Sequence, residues 1–214
     1  PGFPYIIRRY LQGTHYVPDG DHNEALIAEL ARMLALVHGS SDNLLKAFSI
    51  DKATWLRNHK RIVSRCLQMW QRWSPETFAT IDTLVLQLRT SCEALPPVAI
   101  HGDLRAHHVI VDSDGALSGI VGWSQADTGV TEQELASIHL RLFDGRAELT
   151  NAFLREYRRH RDIALSNAAC RLFSLALSTP GHEAPTPALT QFAQSRSLDI
   201  PQALDTLWGP VELV

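Results

Sequence analysis

Apolar residues recur every three to four positions over most of this chain and give way to short continuous apolar runs near its middle. Leu26, Ile27, Leu30, Met33, Leu34 and Val37 fall on one stripe, so the spacing predicts a helix from about residue 24 to His38. Asp21 or Asn23 can cap its start, and Gly39 stops it. After a polar stretch at 40–49, Asp51 opens a long helix to about Trp73 with Trp55, Ile62, Cys66, Met69 and Trp70 near one stripe. Ser74-Pro75-Glu76 is a cap followed by proline at the first helical position and starts another helix, to about Leu95, which Pro96-Pro97 ends. Val98–Ile100, Val109–Val111 and Leu117–Val121 then read as short strands, the last two joined by the turn Asp112-Ser113-Asp114-Gly115. Helical spacing returns at about 132–143, 147–163, 165–178, 186–196 and 201–208, and 178–187 is the most loop-like segment. Near the start, Tyr5 to Leu11 reads as a strand that needs a partner for its backbone groups, from this chain, a second copy or another protein.

Composition narrows the classes. The 214 residues are 45% hydrophobic and 20% charged with a net charge of −3, which is globular material with a real core. That charge argues against a nucleic-acid-coating protein. No apolar run reaches the roughly 18 residues of a membrane span, and the opening residues do not read as a secretory signal. Cys66, Cys92 and Cys170 are far apart without metal-ligand spacing and read as buried thiols of a reducing compartment. A cytoplasmic location is expected.

Chemistry concentrates in His101-Gly102-Asp103-Leu104-Arg105-Ala106-His107-His108, a polar loop between two apolar strands. Gly102 permits a tight or positive-φ backbone, and Asp103 projects after it as a turn former or as a working carboxylate. A transition-metal site of His101, Asp103, His107 and His108 is disfavoured, because adjacent histidines on a strand point to opposite faces. The basic run Arg155 to Arg161 reads as a solvated helix face. Trp55, Trp70 and Trp73, at helical spacing, read as packing.

The block from His101-Gly102-Asp103-Leu104 through Val109-Ile110-Val111-Asp112 and the Gly115–Val121 return to Trp123 resembles the aminoglycoside phosphotransferase and choline kinase-like superfamily. That pattern is HGDLxxxN, a hydrophobic strand, a run ending in D-W, a Gly-Asp-Pro turn and an acidic helix start. Leu30 to His38 is similar to the family's LA-x-x-LA-x-LH helix, and residues 3–13 resemble the strand and hinge joining its two lobes; the resemblance covers about 3–165. It implies a mainly α fold with a small β-hairpin insert, the kinase-like C-terminal lobe of the phosphotransferase type. Residues 1–20 would be a residual hinge strand, and 21–214 a helical substrate-binding lobe with its insert at 98–122.

In such kinases the loop Asp takes the hydroxyl proton or orients the acceptor, while the loop Asn and the Asp before Trp hold Mg²⁺ against ATP. Asp103 matches the first. His108 stands at the Asn position, Gly122 at the Asp position and Val130 at the Asp of the turn, and Glu134 keeps the acidic place. Mg²⁺ prefers oxygen ligands, imidazole suits other metals, and glycine offers no side-chain oxygen. The expectation is therefore a relative deficient in metal ligands, without the upstream nucleotide lobe and without kinase activity of its own. It binds a polar small molecule, with Asp103, His108 and His101 as the acid/base set and Trp123, Asp127 and Glu134 against the ligand. His101 either joins that set or makes only a structural hydrogen bond, and Asp127-Thr128-Gly129 is also turn chemistry. A repurposed tailoring enzyme of secondary metabolism, such as antibiotic biosynthesis, fits this set. The alternatives are a pseudokinase partner protein, with a protein or homodimer contact at the first strand, and an ATP- and Mg-dependent phosphotransferase completed by elements outside the chain. No cofactor is expected under the leading reading.

Overall fold

Helices carry most of the chain in the computed structural model, which describes residues 10–17, 24–39, 52–73, 75–177 and 188–213. In chain order these are strand β1 (Thr14–His15), α1 (Glu24–Gly39), α2 (Lys52–Trp73), α3 (Pro75–Leu88), the short α4 (Thr90–Glu93), then β2 (Val98–Ile100), β3 (Val109–Val111), β4 (Leu117–Ile120) and β5 (Asp127–Gly129). Helix α5 (Thr131–Ser137) continues as a π turn (Ile138–Leu142), followed by α6 (Ala147–His160), α7 (Asn167–Leu177), α8 (Ala188–Ser195) and α9 (Ile200–Trp208). Among the described residues no helix is long and apolar enough to cross a membrane.

The apolar stripes account for the packing. Leu26, Ile27, Leu30, Ala31, Leu34 and Ala35 of α1 are all buried, and α1 packs along α6, whose Phe153, Leu154 and Tyr157 face inward. Helix α5 lies on α7, while α2 and α3 pack together and against α7. Trp55, Phe143, Tyr157, Phe173 and Trp208 are fully buried at the centre. Asp199 caps α9 in a reciprocal capping box with Gln202, and Pro201 sits in the first turn. The three cysteines are free and buried, and burial pushes the Cys66 and Cys92 thiols up to about 12.

Several elements differ from the sequence expectation. The hairpin β3–β4 forms, with Val109 opposite Ile120, but β2 does not join it: β2 pairs antiparallel with β5, Ile100 opposite Asp127. Asp127-Thr128-Gly129 is thus a strand rather than a turn, because Thr128 and Gly129 are buried and must satisfy their backbone groups against β2. The apolar run before position 121 also stops being strand one residue early, since Gly122 turns left-handed (φ +81°) into a short 3₁₀ turn, Trp123–Gln125. The expected first strand at 5–11 falls largely outside the described residues, and Tyr10 and Leu11 are not strand. Strand β1 is instead Thr14–His15, paired with Val111 and Ile110 of β3. Gly13 allows this approach, as a Cβ there would meet the Val111 carbonyl oxygen at 2.1 Å. The expected loops at 40–49 and 178–187, and the caps Asp21, Asn23, Asp51 and Ser74, lie outside the described residues.

Candidate functional site

The loop from His101 to His108 leaves β2 and enters β3, so both its ends are fixed by buried strands. Gly102 has φ +83°, and a Cβ on it would stand 2.1 Å from the Gln125 carbonyl oxygen; the loop lies on the 123–125 turn as only glycine permits. Leu104 is fully buried beneath the loop, and its carbonyl accepts a hydrogen bond from the Ser137 hydroxyl at 3.1 Å.

His101 is wholly buried. Its backbone N–H donates to Glu134 Oε2 in a very short contact, and its Nε2–H donates to the Val121 carbonyl at 2.8 Å. A carbonyl only accepts, so Nε2 carries the proton and Nδ1 faces the Asp103 N–H at 3.4 Å. The ring also packs on Trp123, centroid to centroid 4.7 Å, and the Trp123 indole N–H donates to the Ile120 carbonyl. His101 therefore holds the two turns of the site together through both ring nitrogens and its backbone. Glu134, expected against a ligand, lies inside the protein at 1% exposure as the support of that loop. Behind it, His38 Nε2 is 4.0 Å from Glu134 Oε2, and His38 Nδ1 shares a 2.7 Å hydrogen bond with the Tyr157 hydroxyl.

Asp103 sits at the outer turn of the loop, its side chain 22% exposed. Arg105 Nε and Arg141 Nη1 both donate to its Oδ1 at 2.7 Å. Arg141 is anchored a second time, Nη2 donating to the Leu177 carbonyl at 2.5 Å. Burial pulls the Arg141 guanidinium below its ordinary value, and Arg105 pulls the same way while Asp103 opposes. Sequence reasoning gave Arg141 no role. The available signal was a lone cation inside the apolar run Leu135 to Phe143.

His108 bonds the backbone of Asp103 rather than its carboxylate. Its Nδ1–H donates to the Asp103 carbonyl at 2.7 Å, and its ring covers Gly122, where a Cβ would stand 2.4 Å from Cδ2 and 2.6 Å from Nε2. Burial pushes this imidazole below the ordinary histidine range, with the neighbouring histidines adding to the effect, so it is neutral near pH 7. The expectation that His107 and His108 face opposite ways is corrected. Ala106–His108 is a 3₁₀ turn rather than strand, and the two rings lie 4.1 Å apart, with His107 exposed. Asp127 is exposed at the start of β5, and its Oδ1 accepts from the Thr128 N–H at 2.7 Å. Among the described residues no three His, Cys, Asp or Glu side chains converge as a metal site.

Solved structures of kinase-like phosphotransferases share this fold. A type I macrolide 2'-phosphotransferase superposes with a TM-score of 0.58 at 16% identity, covering 96% of this chain and 68% of that one. An aminoglycoside phosphotransferase from Streptomyces rimosus, solved with ADP and streptomycin, gives 0.51 at 18% identity over 80% of this chain and 69% of its own. The choline kinase LicA of Streptococcus pneumoniae gives 0.52 at 13% identity over 86% and 63%. The model of the phosphotransferase enzyme family matches residues 2–167, more than half of the chain. With the HGDL loop folded as a strand-to-strand connection, that match places this chain in the phosphotransferase enzyme family.

Proposed function

We propose that this phosphotransferase-family protein binds a polar small molecule at the Asp103 loop and does not move phosphate there from a magnesium–nucleotide pair. The family implies Mg²⁺, and the residues present do not fit it. Asp103 Oδ1 is shared by two guanidiniums, His108 Nδ1 is spent on a backbone carbonyl, and Gly122 supplies no oxygen. A hard cation needs several oxygens in near-octahedral array, and phosphoryl transfer depends on charge neutralisation that this loop does not offer. The observation that carries the reading is the His108 ring lying over Gly122, which fills the space a side chain at 122 would need.

Asp103 remains the ionisable group at the mouth of the loop, and its Oδ2 takes no hydrogen bond among the described residues. In a repurposed tailoring enzyme of secondary metabolism it handles the substrate proton. A non-catalytic binding module is the second reading. It is favoured because two guanidiniums hold the Asp103 carboxylate while the His108 Nδ1–H is given to the Asp103 carbonyl, so the pair is not set up to divide proton transfers.

Calorimetric titration with ATP, with and without Mg²⁺, tests the first claim: no Mg-dependent heat is expected, and micromolar Mg-dependent binding with transfer to streptomycin or choline would overturn it. Asp103→Asn then separates enzyme from module. Turnover of a substrate found by screening polar metabolites falls at least a hundredfold if Asp103 handles the proton. Binding with no turnover in either protein selects the module, and an unchanged rate would show an enzyme in which Asp103 does not handle the proton.

A further inference from the structure

We infer that the Asp103 loop selects ligands carrying an oxyanion, a carboxylate or a phosphate, through Arg105 and Arg141. This rests on the small-molecule reading above and names its ligand class. The starting point is an imbalance: one carboxylate oxygen serves two guanidiniums at 2.7 Å each. A single guanidinium is enough to pair a carboxylate, and the second leaves one positive charge over. Burial first and Arg105 second pull the Arg141 guanidinium below its ordinary value, and Asp103 opposes them.

The other ionisable groups of the loop do not cancel that charge. His108 is neutral, and the buried His101 donates its Nε2–H to the Val121 carbonyl. Glu134 is turned inward, where it accepts from the His101 N–H. Asp127 is turned to its own strand backbone.

The geometry also suits recognition. Arg141 is held from both sides, by Asp103 and by the Leu177 carbonyl, so its orientation is set before any ligand arrives. It leaves the helix from a π turn, a local widening that recurs where a helix side chain is aimed at a site. The Arg105 side chain is 37% exposed and bonds Asp103 through Nε; among the described residues its two Nη groups take no hydrogen bond, so they can meet an incoming pair of oxygens. An oxyanion there takes the second guanidinium's surplus charge, whereas a polycation meets two arginines.

The test is thermal shift and calorimetry on the full chain, in EDTA at constant ionic strength, with inorganic phosphate, succinate, sodium chloride and the polycation spermidine as probes. Phosphate, succinate or both are expected to raise the midpoint beyond the chloride control, with spermidine without effect; which oxyanion is stronger distinguishes the two sources. Arg105→Gln, at a half-buried position, should weaken that binding at least tenfold, and Arg105→Lys should restore part of it. Arg141→Gln should act likewise, and if it fails to fold the Arg105 pair decides. Equal oxyanion binding in Arg105→Gln, a response no larger than chloride, or a stronger response to spermidine would each overturn the inference. Mg-dependent nucleotide binding would overturn the claim that no phosphate is moved from a magnesium–nucleotide pair and leave the small-molecule reading and this inference standing, because every arm here is metal-free.

Discussion

At Gly122 the backbone is left-handed, φ +81°, and the space beyond its Cα belongs to the His108 imidazole. Two features of the sequence that lie 14 positions apart are therefore one packing unit. Gly122→Ala should cost about 1–3 kcal/mol for the left-handed residue alone, and more where the ring blocks the Cβ. In a His108→Ala background the ring is gone and only the backbone cost remains. Urea denaturation of the four proteins should return a coupling of about 1–3 kcal/mol, and strict additivity would refute the pairing. The sequence showed one strained glycine of the site and not the other. Gly102 was legible as a positive-φ position because a polar loop followed it. That His108 covers Gly122 was not, because it depends on the 3₁₀ turn at 106–108 carrying the imidazole across to the next strand.

Between residue and fold stands the π turn Ile138–Leu142, which apolar periodicity does not distinguish from the helix predicted over 132–143. A fivefold hydrogen bond, Phe143 N–H to the Ile138 carbonyl, widens the last turn and lets its side chains fan out. Arg141 goes toward the loop. His139 goes into the core, fully buried, where Nε2–H donates to the Leu207 carbonyl of α9 at 2.9 Å and Nδ1 accepts from the Thr150 hydroxyl of α6 at 2.7 Å. Burial pulls this imidazole down to about 4. The sign follows from proton counts. Between the folded value of about 4 and the unfolded value of roughly 6.5 the unfolded chain binds the extra proton, so stability falls as pH drops through that window. Going from pH 7 to pH 5 should remove about 2 kcal/mol through this group. Guanidinium titrations at the two pH values in the parent and in His139→Gln check it, and an equal pH-dependence in both would show that His139 is not the cause. Strand β5 failed the sequence reading for a related reason. Asp-Thr-Gly has turn composition, and only burial against β2 makes it a strand.

Across the whole molecule, the helices were legible because the buried stripes set them. The predicted span 24–38 is observed as Glu24–Gly39, and 201–208 as Ile200–Trp208. Strand pairing was not legible, since nothing local says that β2 prefers β5 to its neighbour hairpin. Nor was the role of Asp103 as a junction. Through Arg141 it joins the loop at the β element to the π turn and to the carbonyl at the end of α7, three pieces remote in sequence. That gives Asp103 a stability role distinct from any chemistry. A residue kept only for function tends to raise stability when replaced. Asp103→Ala should instead leave Arg141, four-fifths covered at 19% side-chain exposure, without its counter-charge. The cost is about 2 kcal/mol, lowering the thermal midpoint by roughly 6 °C in a domain of this size. Asp103→Asn keeps an oxygen acceptor and should fall between. Adding Arg141→Met to Asp103→Ala removes the stranded cation, so the double variant should lose less than the two single losses combined. Calorimetric scans of the set decide the matter: a midpoint for Asp103→Ala at or above that of the parent would free Asp103 from the architecture and leave it to chemistry alone.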